Sequence, residues 1–194
     1  MTLTLISGGA KGADSAFEAL SKEHNHKILS YRPDDVKSDQ YDVYDNYLKY
    51  INENYVHRKY PTRNEYVNNL LRRDVIVSNC DIVYAVTWFE KDGIGELNIH
   101  GGTAWAVWCA IDRFIKLADT LPNNNVTFPC YIYDQNVCKW HQVKYNKNNA
   151  NKIEFIEVNK VPLLKELKEG IKFAGIGTRE ILPHSVEEIK KLYN

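Results

Sequence analysis

The stretch TLTLISGGAKGADSAFEAL, residues 2–20, decides the fold class. It starts with a short apolar run rich in β-forming residues, which predicts a strand, and it ends in a helical pattern. Between the two, SGGAKGAD (7–14) holds three glycines, a serine and an aspartate. Glycines let backbone N–H groups approach phosphate closely, so this order of strand, glycine turn and helix is typical of an α/β nucleotide-binding unit.

The rest of the chain repeats this alternation. Strand patterns occur at 26–33, 81–88, 130–134 and 172–176, and helical patterns at 41–55, 64–77, 104–118 and 185–193. Segments 139–145 and 152–158 alternate like a hairpin or edge strands, and the place of 36–63 in the sheet stays open. We therefore predict one domain, 1–194, with a Rossmann-like, mainly parallel sheet and helices on both faces.

Bulk composition excludes several classes of protein. Lys+Arg and Asp+Glu both number 25, so no net positive field favours nucleic acid or an anionic membrane. No apolar run is long enough to suggest a membrane span, and the start lacks the basic region of a signal peptide. We expect a cytoplasmic protein without a membrane or nucleic-acid partner.

The cysteines show no metal-binding spacing. The four residues Cys80, Cys109, Cys130 and Cys138 form no CxxC pair and have no companion histidines of the zinc kind. We expect buried thiols, no metal and no cofactor.

Three glycine turns carry the functional prediction: SGGAKGAD (7–14), HGGTAW (100–105) and GIGTRE (175–180) each follow a strand-like segment and lead towards a helix. Parallel strands end at one edge of the sheet, so the turns could surround one pocket that binds an anion, most plausibly a nucleotide phosphate. Neither a GxxxxGK[ST] nor a GxGxxG motif is present. The candidate ligand-binding residues are Ser7, Gly8, Gly9, Ala10, Lys11, Gly12, Asp14, Trp88, Gly101, Gly102, Thr103, Gly175, Gly177, Thr178, Arg179 and Glu180.

Several of these residues also have a structural interpretation. Asp14 fits an N-cap as well as a ligand contact, and Thr103 could cap its helix and bind an anion at once. Arg179 and Glu180 could be a charged pair at a helix start, although their place at this edge favours ligand contact. Trp88 could be a core residue or a stacking platform for a base.

Other polar and aromatic residues are assigned more simply. Trp105 and Trp108 are expected in the core, while Asp134 and Gln135 end a strand and should lie near the pocket or a subunit contact. A basic cluster is interpreted as a solvated face, or alternatively as a rim that gathers phosphate. Its members are His57, Arg58, Lys59, Arg63, Arg72 and Arg73.

A family resemblance rests on five motifs in order: SGGAKGADSAFEAL, YRP, DIVYAVTW, GGTAWAV and YIYDQNVCKW. They resemble consecutive motifs of the SLOG superfamily, a Rossmann-like group that includes the DNA-processing protein DprA and the LOG phosphoribohydrolases. The similarity is strongest to small stand-alone members from phages and bacteria. It touches most of the chain except 34–62 and 141–170. It implies nucleotide binding, a pocket or subunit contact near Asp134 and Gln135, and a homo-oligomer.

The order of the strands departs from that family. A strand with a GIGSRE-like motif comes first there, whereas FAGIGTRE (173–180) comes last here. A circular permutation explains this, with the C-terminal strand and helix (171–193) neighbouring the N-terminal strand. Both chain ends should then be close in space. The segment 175–179 should also face the loop 8–12 across one ligand, and Arg179→Ala should weaken binding.

The resemblance leaves two functions open. LOG enzymes carry a motif like PGGxGTxxE with a catalytic glutamate, but IHGGTAWAV (99–107) lacks both the proline and that carboxylate. Asp14, Glu96 or Glu180 could substitute for it, and nothing in the sequence selects among them. We expect a protein that binds a nucleotide or ADP-ribose-like metabolite for sensing or sequestration in phage–bacterium conflict. The alternative is a LOG-like N-glycosidic hydrolase or a nucleoside deoxyribosyltransferase-like enzyme.

Overall fold

A computed structural model describes residues 2–91, 97–148 and 152–194, with only the backbone of Lys152. Its centre is a seven-stranded sheet in the order β2-β1-β9-β3-β6-β7-β8. The strand bounds are β1 Thr4–Ser7, β2 Lys27–Ser30, β3 Ile82–Thr87, β6 Asn125–Asp134, β7 Lys139–Asn146, β8 Lys152–Val158 and β9 Lys172–Gly177. Two short strands, β4 Phe89–Lys91 and β5 Leu97–Ile99, form a separate antiparallel pair.

The first five strands of the sheet are parallel, and β7 and β8 extend it as antiparallel strands with β8 at the edge. β3 is buried at every residue, as a strand covered on both faces must be. β6 starts five residues before the predicted strand, and its register with β7 shifts between Thr127 and Tyr131. The predicted Rossmann-like, mainly parallel α/β fold is confirmed.

The last strand lies in the middle of the sheet. β9 pairs with β1 through Leu5 and Phe173, and with β3 through Ile82 and the same Phe173. The C-terminal strand therefore neighbours the N-terminal one, as expected. The circular permutation that would explain this order stays a prediction.

In the part of the chain that the structure describes, five α-helices cover the two faces of the sheet. Their bounds are α1 Ala13–Glu23, α2 Tyr41–Ile51, α3 Glu65–Val77, α4 Thr103–Ala118 and α5 Pro183–Tyr193. One core cluster joins the sheet to α2, α3 and α4, for example through Leu48, Leu71 and Trp108. The other joins it to α1 and α5 through Phe17 and Ile189. The sheet is thus sandwiched between three helices and two.

The C-terminal helix ends beside the N-terminal part of the fold. The hydroxyl of Tyr193 donates to the carbonyl of Phe17 at 3.0 Å, and its ring lies 6.0 Å from that of His26. His26 in turn accepts a hydrogen bond from the backbone N–H of Leu3 through its Nδ1 at 3.4 Å. The end of α5 therefore lies close to the start of β1. The prediction that both chain ends are close in space includes Met1, which lies outside the described residues.

The β4–β5 pair lies in the segment 89–102, where no strand was predicted. Phe89 pairs with Ile99 and Lys91 with Leu97, so the strands flank residues 92–96, which lie outside the described part of the chain. The glycine turn at 100–105 consequently follows a strand of this small sheet, whereas the prediction placed it after a strand of the main sheet. It still reaches the sheet edge, because the N–H of His100 donates to the carbonyl of Trp88 at 2.9 Å.

The basic cluster is a solvated face only in part: Lys59 and Arg63 are exposed, His57 and Arg58 are half-buried, and Arg72 and Arg73 are buried. Arg72 is bound by Asp45 at 2.7 Å and also pairs with Glu65, and Arg73 pairs with Asp74 at 2.6 Å. Both arginine side chains are buried, 6% and 10% exposed. Ion pairing offsets the cost of burying these cations. Asp45, the partner of Arg72, lies 27 residues away in the chain, whereas Asp74, the partner of Arg73, is the next residue.

Two further expectations concern thiols and membranes. Cys80, Cys109 and Cys130 are buried as predicted, whereas Cys138 is exposed. Among the helices of the described residues, none combines the length and the apolar character needed to span a bilayer.

Candidate functional site

A cavity of about 350 Å³ opens at the edge where β1, β3 and β9 end. Its size is within the range of sites for small organic ligands. All three predicted glycine turns contribute to its wall, together with α3 and the first turns of α4. The sequence-based expectation that the turns meet at one place is met in the structure.

Most of the candidate residues line this cavity, and some do not. Those in the wall are Gly8, Ala10, Asp14, Trp88, Gly101, Gly102, Thr103, Gly177, Thr178, Arg179 and Glu180. Ser7, Gly9, Lys11, Gly12 and Gly175 lie outside it. Ser7 is buried and accepts from the N–H of Gly9, Lys11 points to solvent, and Gly175 faces the ring of Phe17 within the core.

The first and third turns touch each other directly, which corrects the expectation that a ligand separates them. The N–H of Ala13 donates to the carbonyl of Thr178 at 3.1 Å. Gly12 has φ 93°, and a Cβ there would lie 2.3 Å from that same carbonyl oxygen. Only glycine permits both this backbone conformation and this approach. The cavity lies to one side of the joined turns.

Asp14 joins these turns as a buried acceptor. Its Oδ2 accepts from the N–H of Ala10 at 3.3 Å, and its Oδ1 accepts from the N–H of Gly177 at 3.0 Å. The N-cap of α1 is Gly12, so the N-cap interpretation of Asp14 is wrong. The side chain is 4% exposed and contributes to the cavity wall.

Burial raises the pKa of the Asp14 carboxyl from its ordinary 3.8 to about 7, although Arg73 and the amide of Ala10 oppose this rise. The group consequently titrates close to neutrality. A carboxyl in this state can accept hydrogen bonds when charged and donate one when neutral.

The Asp14→Asn substitution is expected to reduce the pH dependence of stability. The pKa of Asp14 is higher in the folded than in the unfolded state. Its contribution to stability is therefore complete below about pH 4 and is lost as pH rises through about 7. A difference of about three pH units corresponds to at most about 4 kcal/mol. Urea unfolding of both proteins across this range should show a shallower fall for the variant. Equal slopes would contradict the assignment.

Arg73 and Asp74 form a buried ion pair beside Asp14. Arg73 Nη2 lies 2.6 Å from Asp74 Oδ1, and Nη1 donates to the carbonyl of Gly8 at 2.9 Å. A Cβ on Gly8 would lie 2.7 Å from the Arg73 guanidinium carbon, so glycine is needed for this contact. Burial also raises the pKa of Asp74. Two carboxyls and one guanidinium thus line one part of the wall.

Another part of the wall is apolar. It is built by α3 and α4, with Ile176 added by β9. Its residues are Val67, Leu70, Leu71, Val77, Ala106 and Ile176. The apolar residues of α3 are therefore divided between the core and the cavity.

The second turn leads into the start of α4. Gly102 is the N-cap and offers no capping side chain, so the first-turn amides of this 16-residue helix are not capped by one. Thr103 is the first residue of the helix, which corrects its expected role as a cap. The N–H groups of Ala104 and Trp105 donate to the carbonyls of Gly101 and Gly102 at 3.4 and 3.1 Å. The dipole at the N-terminus of a helix still favours a negatively charged group.

Trp88 and His100 form the rim next to this turn. Their rings stack with centroids 3.9 Å apart and planes 18° apart. Trp88 is half-buried, in contrast to Trp105 and Trp108, which are buried in the core as expected. One face of Trp88 is thus already covered by a histidine that the sequence analysis did not select.

Arg179 and Glu180 are exposed at the cavity mouth and do not start a helix, because α5 begins at Pro183. Gln135 fixes their loop: its Nε2 donates to the carbonyl of Glu180 at 2.8 Å, and its Oε1 accepts from the N–H of Leu182 at 3.2 Å. Gln135 therefore lies near the pocket, where it supports the loop of Glu180 and does not itself line the cavity wall.

Sequence reasoning missed the polar groups Arg73, Asp74 and His100 as site residues. The sequence placed Arg73 only in a basic cluster and His100 only at the start of a glycine turn. An Arg-Asp pair at the buried positions of an amphipathic helix was the available signal, because such positions are normally apolar. Of the proposed catalytic carboxylates, Glu96 lies outside the described residues, while Asp14 and Glu180 line the cavity.

These features define a Rossmann-like α/β protein with a glycine-lined cavity at the carboxyl edge of its sheet. Comparison of the chain with protein-family models, curated proteins and solved structures finds no significant match. Within residues 2–91, 97–148 and 152–194, no three or more His, Cys, Asp or Glu side chains are grouped so that they could hold a metal ion.

Proposed function

We propose that this chain binds a nucleotide or an ADP-ribose-like metabolite in the cavity. The observation that carries the proposal is the meeting of three chemically different walls in one space: a helix N-terminus without a capping side chain, a buried Arg73–Asp74–Asp14 cluster and an apolar surface. A nucleotide has three matching parts, namely phosphate, sugar hydroxyls and a flat base. The resemblance to the SLOG superfamily supports the same class of ligand.

The charges suggest how such a ligand is oriented. The two carboxyls beside Arg73 disfavour a phosphate there, but they can accept hydrogen bonds from hydroxyl groups. The phosphate is better placed at Gly102 and Thr103, where the dipole of α4 and nearby backbone amides favour negative charge. The base then lies against the apolar residues of α3.

Binding alone suffices for the biological role that the resemblance suggests. A protein that holds a signalling nucleotide can sense it or sequester it, and we propose this use in the conflict between phages and bacteria. A homo-oligomer belongs to the same proposal, because it rests on the resemblance.

Calorimetry with AMP, ADP-ribose and cyclic ADP-ribose tests the proposal. At least one of them should bind with one site per chain and a dissociation constant in or below the micromolar range. Binding should weaken as pH rises through about 7, because deprotonated Asp14 adds negative charge to the cavity. Absence of heat for every compound up to millimolar concentration would contradict the proposal.

Arg179→Ala is expected to weaken this binding about 5- to 10-fold. The exposed guanidinium at the mouth attracts an anionic ligand, and solvent screening limits its contribution to about 1 kcal/mol. Lys11→Ala is the matched control, since Lys11 is also an exposed cation of these turns but lies outside the cavity. An equal loss in both variants would show a general charge effect.

A further inference from the structure

The rim of the cavity contains an imidazole paired with a carboxylate. His100 Nδ1 lies 2.5 Å from Glu90 Oε2, and stacking on Trp88 fixes the plane of the ring. Glu90 belongs to β4, and His100 directly follows β5. The antiparallel pairing of these strands brings the two side chains together although their positions differ by ten in the sequence.

Arg58 holds this pair in place. Its Nη2 donates to Glu90 Oε1 at 2.8 Å and to the carbonyl of Ile99 at 2.9 Å, and its Nη1 donates to the carbonyl of Gly101 at 2.5 Å. The backbone of Arg58 is fixed in turn, because its N–H donates to Asn52 Oδ1 at 2.8 Å. A single guanidinium thereby positions Glu90 and both backbone neighbours of His100.

The His100–Glu90 pair contributes little to the stability of the fold. The side chains of His100 and Glu90 are 35% and 36% exposed, and ion pairs at such positions contribute little to folding. The two ring nitrogens point in different directions, so a ring held by Glu90 through Nδ1 keeps Nε2 for another partner. His100 lines the cavity and directly precedes the Gly101–Gly102 turn.

We propose that His100, oriented by Glu90, acts as a general base that activates water for the hydrolysis of a phosphoester bond of the bound nucleotide. The inference rests on the proposed nucleotide binding, which places a phosphate at Gly102 and Thr103, next to the imidazole. Hydrolysis adds a catalytic activity to that binding. General-base catalysis requires such a fixed imidazole within reach of a water molecule.

The step balances without a further reactant. The oxygen of water attacks phosphorus and forms the new P–O bond, while its proton passes to His100 Nε2. The ester P–O bond breaks, its electron pair stays on the leaving oxygen, and this oxygen takes the proton from Nε2. The backbone amides at the start of α4 stabilise the charge that develops on the phosphoryl oxygens.

The matched variants are His100→Asn and His24→Asn. Asparagine at position 100 can still donate to Glu90 through Nδ2, but it has no group in place of Nε2. His24 is an exposed histidine at the C-cap of α1, the end of that helix remote from the glycine turns. We expect His100→Asn to lower turnover about 100-fold or more while its dissociation constant changes less than about 3-fold. His24→Asn should behave as the wild type.

Glu90→Gln separates orientation from a purely structural role. The amide oxygen of glutamine can still accept a hydrogen bond from His100. Because glutamine is neutral, it stabilises the imidazolium formed in the reaction less than the Glu90 carboxylate does. We expect turnover to fall about 10-fold with little change in the dissociation constant.

The assay incubates the protein with AMP, ADP-ribose or cyclic AMP in water labelled with a heavy oxygen isotope. The products are separated by chromatography, and their masses are determined by mass spectrometry. Label on a phosphate product supports the inference. Binding with every ligand recovered intact, free base with label on the sugar, or unchanged turnover in His100→Asn would overturn it. In each of these cases the proposed binding stands, whereas absence of binding would refute the proposed function itself.

Discussion

Replacement of Arg73 by methionine is expected to lower the free energy of unfolding by about 3–5 kcal/mol at pH 7. The guanidinium is 10% exposed and binds Asp74, whose side chain is 7% exposed, and the carbonyl of Gly8. Methionine preserves most of the aliphatic volume but leaves the Asp74 carboxylate buried without its charge partner. Chemical unfolding monitored by tryptophan fluorescence measures the loss.

The pH dependence and a second substitution identify the cause of this loss. Burial raises the pKa of both Asp14 and Asp74, so at lower pH these carboxyls take up protons and the cost of removing Arg73 should shrink. Adding Asp74→Asn to Arg73→Met should recover part of the stability, since no buried charge remains unpaired at position 74. A loss below about 1 kcal/mol, or one that Asp74→Asn leaves unchanged, would contradict the account.

The fold could be predicted from local sequence patterns to a large extent. The continuous apolar run in β3 and the alternation of strands with helices are sufficient for a mainly parallel sheet. The β4–β5 pair could not be predicted, because strands of three residues leave too short a pattern to distinguish from a glycine-containing loop. The start of β6 was missed because Asn125 and Pro129 favour turns.

The candidate site was predictable only where glycine marks it. The three turns are visible in the sequence because positive φ angles and close backbone contacts, as at Gly12, demand glycine. The pairing of His100 with Glu90 and the hydrogen bond from Arg73 to the carbonyl of Gly8 join residues that are separated in the chain, and no local pattern encodes such contacts. The adjacent charges of Arg73 and Asp74 on a helix were a local signal, but their place in the cavity wall emerged only from the structure.

Gly102→Leu is expected to abolish binding while leaving the fold intact. Gly102 has φ −63° and ψ −29°, which leucine adopts readily, and a Cβ at this position meets no atom within 4 Å. Because Gly102 lines the cavity, its new side chain should occupy the space proposed for the phosphate. We expect the dissociation constant of the nucleotide to rise at least about 100-fold, a loss of about 2.7 kcal/mol.

Ala19→Leu provides the matched control for this substitution. Ala19 is exposed on α1, so the same side chain is added to a helix outside the cavity. Both variants should unfold within about 0.5 kcal/mol of the wild type, because neither replaces a buried contact. Unfolding of Gly102→Leu at much lower denaturant would instead assign this glycine a structural role.

Titration calorimetry of the wild type, Gly102→Leu and Ala19→Leu with the tightest-binding compound among AMP, ADP-ribose and cyclic ADP-ribose tests the central claim most directly. The claim is that the three glycine turns enclose one nucleotide site at the carboxyl edge of the sheet. It predicts equal affinity for the wild type and Ala19→Leu, and at least about 100-fold weaker binding to a stably folded Gly102→Leu. Equal affinity in all three proteins, or no binding to the wild type, would contradict it.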